Sequence, residues 1–293
     1  MTTSISIKST VNIASMSEGR SHAAVASIDD DSFVVIGGHG TERLSSCEVY
    51  NERTNEWRPL PKNMPKGRSY CAAARIGRYI YVVGSSLSMA AYSLDNEEWV
   101  FKSPTKIRRY GCAAVASNGH LYVFGGRHCE IHNTAEVYDP ETDKWKDLPR
   151  MSQARKSCAA VTVGDKIYVI GGRASDLLSS VEIFNVTTRK WEKGTDMPTP
   201  RYAHAAVAIG KFIIVIGGCD NSDQSVSSTI IYDTNDKNWS DGPSLATERS
   251  YHIAVTINEK RVVIAGGETN SWKDDDNSDS AEMITFKLND TRR

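Results

Sequence analysis

A strand-like apolar run ending in two glycines recurs along this chain, at Gly37-Gly38, Gly125-Gly126, Gly171-Gly172, Gly217-Gly218 and Gly266-Gly267, with a degenerate Gly84-Ser85. From residue 37 through 84, 125, 171, 217 and 266, the first glycines are 47, 41, 46, 46 and 49 residues apart. Two further landmarks keep this phase. An arginine stands 16 or 17 residues before each first glycine: Arg20, Arg68, Arg109, Arg155, Arg201 and Arg249. In five repeats an aromatic residue is followed seven positions later by Trp: Tyr50 and Trp57, Tyr92 and Trp99, Tyr138 and Trp145, Phe184 and Trp191, Tyr232 and Trp239. A fixed period of this size is the signature of a repeat architecture.

Within each repeat the segments are short and rich in β-branched and aromatic residues, such as Phe33-Val34-Val35-Ile36 and Ile213-Ile214-Val215-Ile216. Turn pairs such as Asn118-Gly119 and Gly164-Asp165 join the Ala-rich segment after each arginine to the segment that ends in glycine, which makes a hairpin. A repeat of this length holds four short strands, and one such sheet cannot bury both its faces alone. Six sheets stacked in a closed ring leave no open end. The glycines suit places where a Cβ would obstruct a close backbone approach, so Ser85 is expected to strain or loosen the second repeat.

The diglycine, then the glutamate of Glu48-Val49-Tyr50, Glu136-Val137-Tyr138 or Glu182-Ile183-Phe184, then the spaced Trp, resemble the Kelch repeat family over about residues 20 to 287. The second repeat lacks one glycine and the glutamate, and the sixth stops before its Trp. The resemblance implies an all-β, six-bladed Kelch-type β-propeller of four-stranded antiparallel sheets. It forms one domain over 1–293, with blades at about 20–60, 68–102, 109–148, 155–194, 201–242 and 249–288. Too few residues follow Leu288 for another strand, so the alternating N-terminal segment, about residues 4–13, is expected to close the last blade.

With the strands of a blade labelled a to d, antiparallel order gathers the d–a and b–c loops on one face. The a–b and c–d connections on the other face are short and chemically alike. From the second glycine to the glutamate position the b–c link spans 10, 5, 10, 10, 12 and 15 residues, so variation concentrates on one face, where a rigid scaffold carries binding loops. The recurring arginines are expected to be structural, because a residue repeated in every blade is explained by the fold.

Discrimination falls to what differs. Directly after the glycine pair stand His39, Ser86, Arg127, Arg173, Cys219 and Glu268. Directly after the arginine stand Ser21, Ser69, Tyr110, Lys156, Tyr202 and Ser250. In Kelch adaptors of ubiquitin ligases matching positions contact the bound peptide. The resemblance therefore implies a basic sector of Arg127, Arg173 and Lys156 flanked by Tyr110 and Tyr202, with Tyr70 and Tyr251 facing the same groove. Such residues suit a carboxylate or phosphate and are typical hot-spot anchors. Trp272, in the long sixth-blade loop, is a further candidate contact. The expected partner is another protein presenting a short acidic or phosphorylated segment. A ligase role would need a separate adaptor, since 19 residues before Arg20 leave no room for a BTB or F-box module.

With 35 basic and 36 acidic residues, no strong field steers the chain towards nucleic acid. No apolar run approaches the roughly eighteen residues of a membrane span, and no leader is evident, so a monomeric cytoplasmic or nuclear protein is expected. Six dispersed cysteines read as free thiols. His128-Cys129-Glu130-Ile131-His132 carries ligand-type residues without a completing cluster. Cys71, Cys112 and Cys158, in phase with His204 and His252, fit packing between blades better than a metal ring. No nucleophile elbow, phosphate loop or His-Glu-x-x-His motif occurs, and no cofactor or enzyme activity is expected. The alternative is a sugar (sialic acid) mutarotase that would use His39, Arg127, Arg173 and Glu268.

Overall fold

In the computed structural model, which describes residues 2–270 and 277–291, each repeat is one four-stranded antiparallel sheet in the order a-b-c-d. The innermost strands are Ala24–Ser27, Cys71–Ile76, Ala113–Ser117, Ala159–Val163, Ala205–Ile209 and Ile253–Ile257. Each contacts the next, and the last contacts the first. Small residues dominate these strands because six of them converge on one axis. The b strands are buried between neighbouring blades, throughout in the first and fifth, as at Phe33 to Ile36 and Phe212 to Ile216, and from their second residue onward in the others.

The N-terminal strand Thr2–Ile13 pairs with Ala281–Thr291 and closes the sixth blade, as its alternating pattern suggested. The sixth c strand continues past Leu288 to Thr291, because the N-terminal strand partners it beyond the end of the b strand Arg261–Ala265. Each blade Trp sits opposite its aromatic in the c strand, as in Tyr50↔Trp57 and Phe184↔Trp191. Its indole N–H donates to a carbonyl just after the preceding blade's outer strand: Trp57 to Ala14 at 2.7 Å, Trp99 to Lys62 at 2.8 Å, Trp145 to Ser103 at 2.9 Å.

The six arginines are buried, and each guanidinium donates to the carbonyl of its own blade's first glycine, for example Arg155 to Gly171 at 2.8 Å and Arg20 to Gly37 at 2.9 Å. In four blades the same head group pairs with the c-strand glutamate. These pairs are Arg20–Glu48, Arg109–Glu136 and Arg155–Glu182 at 2.7 Å, and Arg249–Glu282 at 3.5 Å. In the second and fifth blades Ala90 and Ile230 occupy that position. There Arg68 and Arg201 keep the contacts common to all six blades, to the glycine carbonyl and to Ser88 or Ser228, and burial pulls both guanidinium pKa values down.

Two closed cycles of backbone hydrogen bonds tie the blades together. In the first, the residue at the second glycine position donates to the next blade's arginine carbonyl, from Gly38 to Arg68 round to Gly267 to Arg20. A Cβ on the first glycine of the pair would crowd that same carbonyl, lying 2.3 Å from the Arg155 oxygen at Gly125, so the first position takes glycine, which the second blade keeps as Gly84. Ser85 keeps the bond, at 2.8 Å to Arg109, but does so at φ +63, a left-handed conformation that costs roughly 1–2 kcal/mol without glycine. The expected strain is therefore local.

The second cycle runs through the residue two after each arginine. Tyr70 donates to His22, Gly111 to Tyr70, Ser157 to Gly111, Ala203 to Ser157, Tyr251 to Ala203 and His22 to Tyr251, at 2.7–3.0 Å. All six have φ between +50 and +63, and five are not glycine. Below this collar a channel chamber of about 110 Å³ is lined by Cys71, Cys112, Cys158, His204 and His252. Burial pushes the first two thiols up to about 12 and Cys158 up to about 11, so none is a nucleophile at neutral pH. Among the described residues no group of three or more His, Cys, Asp or Glu is placed to hold a metal.

Two predictions follow from this buried chemistry. Glu182→Leu leaves Arg155 without its carboxylate and should cost about 3 kcal/mol in urea unfolding, with part recovered in the Glu182→Leu, Arg155→Met double variant. Burial holds His22, His204 and His252 at a pKa of about 3, against an ordinary value of 6.5. Below that ordinary value the unfolded chain takes up protons that the folded chain refuses. Stability is therefore complete above pH 6.5 and falls with acid, by up to about 1.4 kcal/mol per pH unit for each histidine. His252→Gln should flatten the pH 6 to 5 limb by about one proton, read by denaturant titration at each pH.

Candidate partner-binding face at the channel mouth

The residue after each arginine and the residue after each glycine pair, two series far apart in sequence, meet as antiparallel bridges. Ser21 pairs with His39, Tyr110 with Arg127, Lys156 with Arg173, Tyr202 with Cys219 and Ser250 with Glu268. Lys156 and Arg173 exchange N–H···O bonds of 3.0 and 2.9 Å. These rungs extend each a–b hairpin past the glycine seat, so their side chains surround the channel mouth. The second blade forms no such bridge, because its c strand begins at Ser86, directly after Ser85.

Collar side chains shape the mouth. His22 is held between two tyrosines, its ring centroid 3.8 Å from both Tyr70 and Tyr251, while the Ser21 hydroxyl lies 2.7 Å from its Nδ1. Gly111, Ser157 and Ala203 on the other half of the collar are small. Above that half opens a pocket of about 360 Å³. Tyr70, Tyr110, Arg127, Lys156 and Tyr251, all singled out in the sequence, line it together. Burial lowers the Lys156 pKa, and the nearby positive charges of Arg127 and Arg173 lower it further. The pocket also takes in Arg43, His128, Cys129 and Ser157. Arg43 carries no repeat signal, lying in the first b–c loop away from the two landmark positions. The turn that brings in His128 and Cys129 is the two-rung hairpin Arg127↔Ile131, His128↔Glu130 with Cys129 at its tip.

The remaining candidates sit beside the pocket. Arg173 pairs with Asp223 at 2.7 Å and lies 5.2 Å from the Tyr202 ring centroid. Tyr202 is buried and donates its hydroxyl to Asp223 at 3.1 Å. The basic sector therefore centres on Arg127 and Lys156, with Arg173 turned to its own counterion. His39 is exposed, whereas Glu268 is half-buried, accepts a long bond from Ser21 at 3.4 Å and lies 3.5 Å from His22. Burial raises the Glu268 carboxyl pKa, and burial keeps His22 neutral, so this contact is not an ion pair. Trp272 lies outside the described residues.

The KLHDC2/KLHL20/DRC7 Kelch-repeats domain matches residues 157–292, and the Kelch motif matches residues 19–64 and 108–152. Human Kelch-like protein 23 is 28% identical over 151 residues, covering 49% of this chain and 27% of that protein. Human Kelch-like protein 38 is 33% identical over 144 residues, covering 46% and 24% respectively. Kelch repeat and BTB domain-containing protein 12 of Danio rerio is 28% identical over 166 residues, covering 46% and 26%. The chain thus spans about a quarter of the length of these relatives. The solved structure of YjhT shares the fold, with a TM-score of 0.81 at 17% identity over 95% of this chain and 99% of that one. Six blades with buried arginines and glycine seats, matched by family models in both halves of the sequence, make this chain a Kelch-repeat protein.

Proposed function

We propose that this propeller is a protein-interaction scaffold that takes a short acidic or phosphorylated segment of another protein in the pocket at the channel mouth. One observation carries the reading. Arg43, Arg127 and Lys156 line a pocket with three tyrosines, and among the described residues no carboxylate lies within ion-pair distance of any of the three. An incoming carboxylate or phosphate would offset the repulsion that lowers the Lys156 pKa, and Arg127 offers it a forked donor. Tyr70, Tyr110 and Tyr251 supply apolar area around that anchor at low entropic cost. A rigid ring presenting such a pocket suits a recognition subunit that holds its partner for another module.

A mutarotase would need His39, Arg127, Arg173 and Glu268 to converge on one sugar. Arg127 lines the pocket, while Arg173 faces Asp223 and Glu268 faces Ser21 and His22, which favours the peptide reading.

The test is an array of acidic and phosphorylated peptides with their neutral counterparts, followed by anisotropy titration of the hits. Wild type is expected to bind acidic members, more weakly as salt rises. Arg127→Glu with Lys156→Glu should lose at least about tenfold in affinity, some 1.4 kcal/mol. Equal binding by both proteins, or preference for neutral peptides, would refute the assignment.

A further inference from the structure

We propose that the outer strand of the second blade, Glu98–Lys102, is a self-association surface that joins two copies of this chain edge to edge about a twofold axis. The outer strand ends each sheet, so one side of its backbone has no strand partner among the described residues. Open edges invite pairing, and proteins blunt them with charges and proline. After the Trp of its outer strand, the first blade places Arg58-Pro59, the third Lys146-Asp147, the fourth Glu192-Lys193 and the fifth Ser240-Asp241. The second blade alone of these five places Val100-Phe101 there, 38% and 64% exposed. Phe101 is the most exposed large hydrophobic side chain among the described residues.

The occupant is a second copy because this strand complements itself. Laid antiparallel on its own image about Val100, it sets Glu98 opposite Lys102 at both ends and Trp99 opposite Phe101. Opposite charges and aromatic pairs facing each other across strands stabilise an antiparallel ladder. The present partner of Glu98 is Lys62, in an ion pair whose side chains are both more than half exposed, so exchanging it costs little. The N-terminal strand also exposes Ile7 and Val11, but a bulge between Ile7 and Ser9 puts Lys8 in its middle, which blunts that edge. An isologous contact of five residues a side is small, so the dimer is expected to populate at high protein concentration. The proposal stands independently of the pocket at the channel mouth.

Sedimentation equilibrium on the full chain, across a series reaching hundreds of micromolar, tests it. Wild type should show a reversible monomer–dimer equilibrium. Phe101→Lys should be monomeric. Glu98→Lys, which sets lysine against lysine at both ends, should weaken association by about tenfold. Glu98→Lys combined with Lys102→Glu exchanges the charges while keeping their complementarity, and should restore it to within about twofold. Circular dichroism and thermal melting verify that each variant folds, as exposed edge positions permit. A wild type monomeric throughout the series, including one whose Phe101 instead serves a different protein, would overturn the proposal. So would a dimer indifferent to Phe101→Lys, or a charge exchange that fails to restore pairing.

Discussion

Closure of the ring is the constraint on which everything else in this molecule rests. Each blade shows a neighbour two apolar faces, and none has a face to spare for solvent. Twelve backbone hydrogen bonds in two cycles make that closure specific: one through the glycine seats and arginine carbonyls, the other through the collar residues from His22 round to Tyr251. A cycle has no terminal member, so every blade's seat amide and collar amide has its partner. The collar needs left-handed backbone at six places and obtains it with only one glycine, which shows how strongly the surrounding contacts determine it.

The same arginine serves both levels of the design. Its side chain holds the glycine carbonyl and, in four blades, the c-strand glutamate of its own blade, while its backbone carbonyl receives the preceding blade's glycine-position amide. Local geometry and ring geometry are thereby fixed at one residue, and the next position along is free to vary without disturbing either. That freedom is what allows Tyr110, Lys156 and Tyr202 to differ from Ser21 and Ser250 at equivalent sites. Function can be written at the channel mouth because the fold is secured immediately beneath it.

Much of this was legible in the sequence. Phase alone identified the blades, the hairpins, the structural arginines and the closing N-terminal strand, because a repeated burial problem has a repeated solution. Five of the pocket's lining residues were legible for the converse reason, since they stand in phase with the repeat at positions whose residue differs from blade to blade, which the Kelch resemblance assigns to the binding face. Arg43 was not, because its counterparts in the third and fourth blades, Ile131 and Leu177, are apolar and the position belongs to neither landmark series. The turning of Arg173 towards Asp223 was also hidden, for that carboxylate lies 50 residues away in the next blade's loop.

What the sequence by itself determined was the number of blades, their strand order and the residues that must be buried, since period and polarity follow from covering apolar sheet faces. Only the tertiary structure decided which cations remain without a counterion, which way Glu268 and His22 face, and that Val100 and Phe101 lie on an open edge. Those outcomes depend on distances between loops of different blades, and such distances exist only once the ring has closed.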